Sequence, residues 1–185
     1  IEATSNDIDA GNVTLTKNNS LPQGGNLENV KIYKPVFVLE PSGRYRASAD
    51  MSLGGGILGS INIGAAKASV VVNNDTAQLT NLTADVMDGK INGNATIAFS
   101  TRNRSEINAD FSDLDIGKLL AIQGGRVVPI EGNTTGKVNL SFAGTNFKTA
   151  SGNLFANINA NAGTQEKGLI PVTGRVEATA INGLF

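Results

Sequence analysis

Cysteine, histidine and tryptophan are all absent from this 185-residue chain, and aromatic residues make up only 5% of it. Without cysteine there are no disulfides, thiolate nucleophiles or thiolate metal sites. Without histidine the usual general base is gone, and with it the Ser-His-Asp triad and nearly all zinc chemistry. Charge of either sign is also scarce in bulk, with 15 basic and 16 acidic residues. The basic residues are scattered (Lys31, Lys34, Arg44, Arg46, Arg102, Arg104), so no run could track a phosphate backbone and nucleic acid is not an expected partner. No apolar stretch is long enough for a membrane-spanning helix or a signal sequence. Leu53–Ile63 is the best attempt, and glycine interrupts it repeatedly. Because no credible acid/base pair can be named, an enzyme is not expected, nor is a cofactor.

What is present is alternation. From Ile91 to Phe99 the odd positions Ile91, Gly93, Ala95, Ile97 and Phe99 are apolar or small, while Asn92, Asn94 and Thr96 occupy the other side. The same period of two runs through Val138/Leu140/Phe142, Leu154/Ala156/Ile158/Ala160/Ala162, Ile107/Ala109/Phe111, Leu82/Ala84/Val86, Val176/Ala178/Ala180 and Tyr45/Ala47/Ala49/Met51/Leu53. Such a pattern predicts β-strands in a sheet wetted on one face only. Asn12–Thr16, Val30–Ile32, Val36–Leu39 and Ala68–Val72 are predicted as shorter strands, with Pro35 and Pro41 at strand margins. Gly89, Gly136, Gly152 and Gly174 read as openers of successive strands, which suggests a glycine-punctuated, strongly curved meander. One stretch departs from the period. Asp115 followed by Ile116, Leu119 and Leu120, with Gly124 as a left-handed stop, predicts one short helix at about Ile116–Ile122.

Three chemical constellations invite a test. The carboxylates Asp110, Asp113 and Asp115, with Asp85 and Asp88, could offer oxygens to Ca²⁺, but the run lacks the mid-loop glycine and terminal glutamate of an EF-hand. Helix capping by Asp115 and a solvated turn at Asp113 account for them instead. Gly54-Gly55-Gly56 lacks the strand–loop–helix setting of a phosphate loop and reads as a bend leading into either a kinked strand or an apolar plug. Asn-X-Ser/Thr triplets, including those at Asn12, Asn81, Asn94 and Asn133, follow from Asn and Thr alternating on wet strand faces. The apolar faces remain. Pattern alone leaves open whether they close on one another as a sandwich or line a space, but an Ala/Gly-rich lining with few large side chains leaves volume unfilled.

A resemblance enters from Glu106 onward. The succession Ile107-Asn-Ala-Asp-Phe-Ser-Asp-Leu-Asp-Ile-Gly-Lys-Leu-Leu120, then Ile130-Glu-Gly-Asn-Thr-Thr-Gly-Lys-Val-Asn-Leu140, Phe142-Ala-Gly-Thr-Asn-Phe147 and Ala150-Ser-Gly-Asn-Leu-Phe-Ala156, resembles the AsmA/TamB superfamily of bacterial envelope proteins. Leu79–Gly93, with its Asp-Gly turn, is similar to that family's strand-turn-strand unit. The likeness covers Ala77–Phe185 and, more faintly, the less regular portion 1–76. It implies a single segment of a longer repetitive protein, all-β, with a curved, elongated antiparallel sheet forming a U-shaped apolar groove (β-taco-like). It further implies a periplasmic location, an inner-membrane anchor outside residues 1–185, and a role in carrying phospholipid acyl chains between membranes. An outer-membrane assembly protein is a possible partner under the same resemblance. The expected lining residues are Leu82, Val86, Ile91, Ile97, Phe99, Ile107, Phe111, Val138, Leu140, Phe142, Leu154, Ile158 and Val176. The competing expectation is a structural or chaperone-like module that assists assembly of outer-membrane or secreted proteins, or a surface adhesin domain. A transmembrane barrel would need aromatic girdles that the composition cannot supply.

Overall fold

A computed structural model describes residues 1–17, 24–59, 61–119, 129–160 and 168–183. Strands β1 (Glu2–Thr4), β2 (Ile8–Leu15), β3 (Gly25–Leu39), β4 (Tyr45–Leu53), β5 (Gly55–Leu58), β6 (Ile61–Asn73), β7 (Thr76–Val86) and β8 (Gly89–Ala98) come first. They are followed by β9 (Arg104–Asp115), β10 (Ile130–Glu131), β11 (Asn133–Ala143), β12 (Asn146–Asn159), β13 (Ile170–Pro171) and β14 (Gly174–Ala180). One helical turn, α1, covers 116–119. Twelve of the strands form one curved antiparallel sheet in the order β1-β3-β4-β6-β7-β8-β9-β11-β12-β14, with β2 on β3 and β5 against β3 and β6. At the usual strand spacing this path spans roughly 40 Å. The sheet is all-β and curved as expected, and it runs unbroken across residue 76, because β6 and β7 pair along most of their length.

The alternation builds the sheet directly. Hydrogen-bonded neighbours share a face, and the register lines the apolar positions up across strands. One row reads Ala49–Val70–Leu79–Ala95–Ile107–Leu140–Gly152–Ala180 from β4 to β14. The next reads Leu82–Gly93–Ala109–Val138–Leu154–Ala178. Behind the sheet the matching row is Asn94–Asn108–Asn139–Asn153–Thr179. The tight turn between β7 and β8 uses Met87 and Asp88, both at positive φ (49° and 66°), the two-residue hairpin geometry that suits the sheet's twist.

Several local expectations change. Val30–Ile32 and Val36–Leu39 are one long strand, and Pro35 lies inside it at a register shift between Tyr33 and Val36. Lys34 takes a left-handed φ of 46° there and its N–H donates to Asp7 Oδ1, so the bulge absorbs the proline's missing donor. The Gly54–Gly56 stretch leads into strand rather than plug: β5 pairs with β3 and hairpins into β6. Gly136 and Gly152 do not open strands but lie within β11 and β12. A Cβ on Gly136 would come within 1.9 Å of Phe155 O and 2.8 Å of the Phe111 ring, and one on Gly152 within 1.9 Å of Asn139 O. Close approach of the neighbouring strand, not a turn, fixes glycine at both places. The predicted helix begins as expected: Asp115 Oδ1 accepts from Lys118 N–H at 3.0 Å, a side-chain N-cap. Its continuation to Ile122 and the stop at Gly124 lie outside the described residues, as does the stretch beyond Ala160 predicted to carry Ala162.

Candidate functional site: an uncovered apolar face

The face carrying the apolar rows is not closed by a second sheet among the described residues. Besides the large sheet there is only the two-residue parallel pair β10–β13. Leu82, Ile91, Ile97, Ile107, Val138, Leu140 and Leu154 are half-buried rather than buried.

Among the described residues full burial gathers at the two margins of the face, where most strands end, with Val30 inside β3 the exception. At one margin Phe142 is 0% exposed and packs on Phe147 with ring centroids 4.3 Å apart. Ala98, Ala150 and Ala180 are buried on the same margin. Ser105 is buried with them and is satisfied twice: its Oγ donates to Gly144 O and accepts from Ala98 N–H. At the opposite margin Val86, Phe111, Leu114 and Ala156 form a packed cluster, flanked by Ile61, Ile91, Val138 and Leu154. The Phe111 ring reaches across β11 because Gly136 presents no side chain, which explains why the closest packing coincides with that glycine. Ile116, Thr134 and Ile158 are buried on this side as well. On β9 the two margins are marked by Ser105 and Phe111, about 20 Å apart along the strand, with Ile107 and Ala109 on the open floor between them.

The expected lining residues therefore divide. Leu82, Ile91, Ile97, Ile107, Val138, Leu140 and Leu154 lie on the half-buried floor. Val86, Phe111, Phe142 and Ile158 are buried in the margins, where they hold the sheet together and present little surface to a ligand. Phe99 falls one residue past β8 and is 50% exposed at the rim, while Val176 is on the last described strand of the sheet, 38% exposed.

The structure also adds residues. The apolar face continues through β1–β6, where a trough of about 360 Å³ is lined by Ile8, Ile32, Phe37, Ala49, Met51 and Val70 among others. Phe37 stacks on Tyr45 at 6.1 Å along its border. Alternation over Tyr45–Leu53 was the available signal. The bulges at Lys34 and Asn81 hide the connection in sequence, since each shifts the parity of the face by one.

Three of the five acidic residues that invited a metal reading are engaged elsewhere. Asp110 pairs with Lys137 at 3.3 Å, Asp88 pairs with Lys118, and Asp115 caps α1. Lys118 is held above its ordinary pKa of 10.5, first by its hydrogen bond to Asp88, with burial opposing and the charges of Asp88 and Asp115 adding. Among the described residues no helix is long and apolar enough to cross a membrane. No protein-family model, no curated protein and no solved structure matches this chain.

Proposed function

We propose that this chain is a stretch of a lipid-conducting β-groove, similar in kind to the AsmA/TamB envelope proteins, that holds phospholipid acyl chains on its apolar face. The observation that carries the reading is the floor of continuous apolar rows, left half-buried between two packed margins. An acyl chain leaving water gains about 0.8 kcal/mol per CH₂ buried, so a face of this kind favours long alkyl chains with no polar recognition needed. Its Ala and Gly positions leave room for tails, and its rows repeat from strand to strand, so contacts of similar strength recur along the sheet. Sliding along a groove needs such equivalence. In this reading the margins confine the tails and the head group stays in solvent. The chain would act in the periplasm, with an anchor supplied from outside residues 1–185.

Photo-crosslinking in cells tests it. A photoreactive residue at Ile97 or Leu140 on the floor should yield lipid adducts, and one at Asn139, which points to the other face, should not. Adducts absent from both floor positions would overturn the reading. A second reading, a template for a client β-strand in protein assembly, draws on the outer edge of β14, which pairs only with β12 among the described residues. Native mass spectrometry separates the two, since it would find co-purified lipid under the first and bound polypeptide under the second.

A further inference from the structure

Among the asparagines of β12 the polar face carries a residue out of character, as it does at Ile57 on β5 between Asn26 and Asn62. On β12 the solvent-facing positions are Asn153, Phe155, Asn157 and Asn159, and Phe155 is 45% exposed. Its neighbours across the sheet are Lys137 on β11 and Glu177 on β14, so the ring belongs to the wet face and adds nothing to the apolar rows behind it. A phenylalanine kept half in water forgoes much of the roughly 1.5–3 kcal/mol that burial would give. Nor does it find a ring partner: the described aromatic contacts are Phe37–Tyr45 and Phe142–Phe147. Around it the sheet forms a shallow depression of about 600 Å³, within the usual range for small-ligand sites. Asn92, Asp110, Lys137, Asn157 and Arg175 border that depression together with the ring.

We infer that this depression is a binding site for a neutral oligosaccharide, with one pyranose ring stacked on Phe155. The chemistry of the border selects the ligand class. Lys137 is paired with Asp110 at 3.3 Å and Arg175 with Glu177 at 2.6 Å, so the cations around the ring are matched by anions and the site favours neither a phosphate nor a polycation. Both pairs are largely exposed, hence individually weak and open to sharing. A sugar hydroxyl both donates and accepts. Vicinal hydroxyls can therefore bridge an Asp–Lys or Arg–Glu pair without breaking it, while the amides of Asn92 and Asn157 supply further donors and acceptors. The apolar C–H face of a pyranose meets an aromatic ring through weak C–H···π contact, which explains why an aromatic is kept among asparagines. This inference concerns the opposite side of the sheet from the acyl-chain floor and does not depend on it.

The test is a titration of the isotopically labelled 185-residue chain with cellotetraose and, separately, chitotetraose, followed by amide and aromatic chemical shifts. Saturable shifts clustered at Phe155, Asn157 and Lys137, with a Kd near ~1 mM, are expected for at least one sugar. Phe155→Ala should weaken binding at least tenfold, Phe155→Tyr should retain it, and Asn157→Ala should weaken it several-fold. Because Phe155 is exposed, all three variants should keep the parent's spectrum elsewhere, and a variant that does not is replaced in the argument by the other two. No saturable shift with either sugar up to about 10 mM, or binding unaffected by Phe155→Ala, would overturn the inference. Shifts centred on the apolar face instead would overturn it equally.

Discussion

Replacing Phe142 and replacing Leu140 should have opposite consequences, although the two are alternate residues on one strand and face. Phe142 is 0% exposed and packed against the Phe147 ring, so truncation to alanine opens a cavity in a margin. Buried Phe→Ala changes cost about 3–5 kcal/mol, and the lost ring pair accounts for about 0.5–1.5 kcal/mol of such a figure. Against a total stability of about 5–15 kcal/mol, that is a large fraction. With a urea m-value of about 2 kcal/mol/M, the unfolding midpoint should fall by about 2 M. Leu140 is half-buried on the open floor. Leu140→Asn gives up only partial burial and leaves its amide in contact with whatever fills the groove, so its midpoint should move by less than about 0.7 M. The lipid readout should reverse the order: adduct yield from a crosslinker at Ile97 should fall several-fold in Leu140→Asn. Phe142→Ala, assayed at a temperature where it remains folded, should keep most of it. If both variants shift the midpoint alike, the division into packed margins and open floor is wrong. If Leu140→Asn leaves lipid adducts unchanged, the floor is not where acyl chains bind.

Three further outcomes follow from the same geometry. Gly136→Ala must part β11 from β12 and displace the Phe111 ring, which should cost about 1–3 kcal/mol as overpacking and appear as broadened amide signals from both strands. Asp115→Ala removes the α1 cap and should lower stability by about 1 kcal/mol, while Asp115→Asn, which still accepts the Lys118 N–H, should recover most of it in the same denaturation assay. Asp88→Asn should return the Lys118 pKa towards 10.5, measured by NMR titration of its side chain. Because the folded value is raised, the pair's contribution is complete below 10.5 and is lost as pH rises through the folded pKa. Both groups are well exposed, so the stability change should stay below about 1 kcal/mol and diminish in salt. A pKa unmoved by Asp88→Asn would refute the assignment of cause.

Sequence alone determined the periodicity, and through it the class of fold, the composition of each face and the position of the helix cap. These are local properties. A period of two forces side chains to alternate, and Asp115 bonds a donor only three residues away. The tertiary structure decided where parity changes, because a bulge such as that at Asn81 is held by a distant group, Asn94 Oδ1 accepting its N–H, which no local pattern records. For the same reason the trough across β1–β6 could not be joined to the rows of β7–β14 beforehand. Tertiary packing also separated Phe142 from Leu140 and Phe111 from Ile107. Each pair alternates identically in sequence, and only the approach of Phe147 in one case and the bare backbone of Gly136 in the other buries one member and leaves its neighbour on the floor. Whether an apolar face is covered depends on what lies opposite it in space, and that is set by the curvature of the whole sheet rather than by any strand within it.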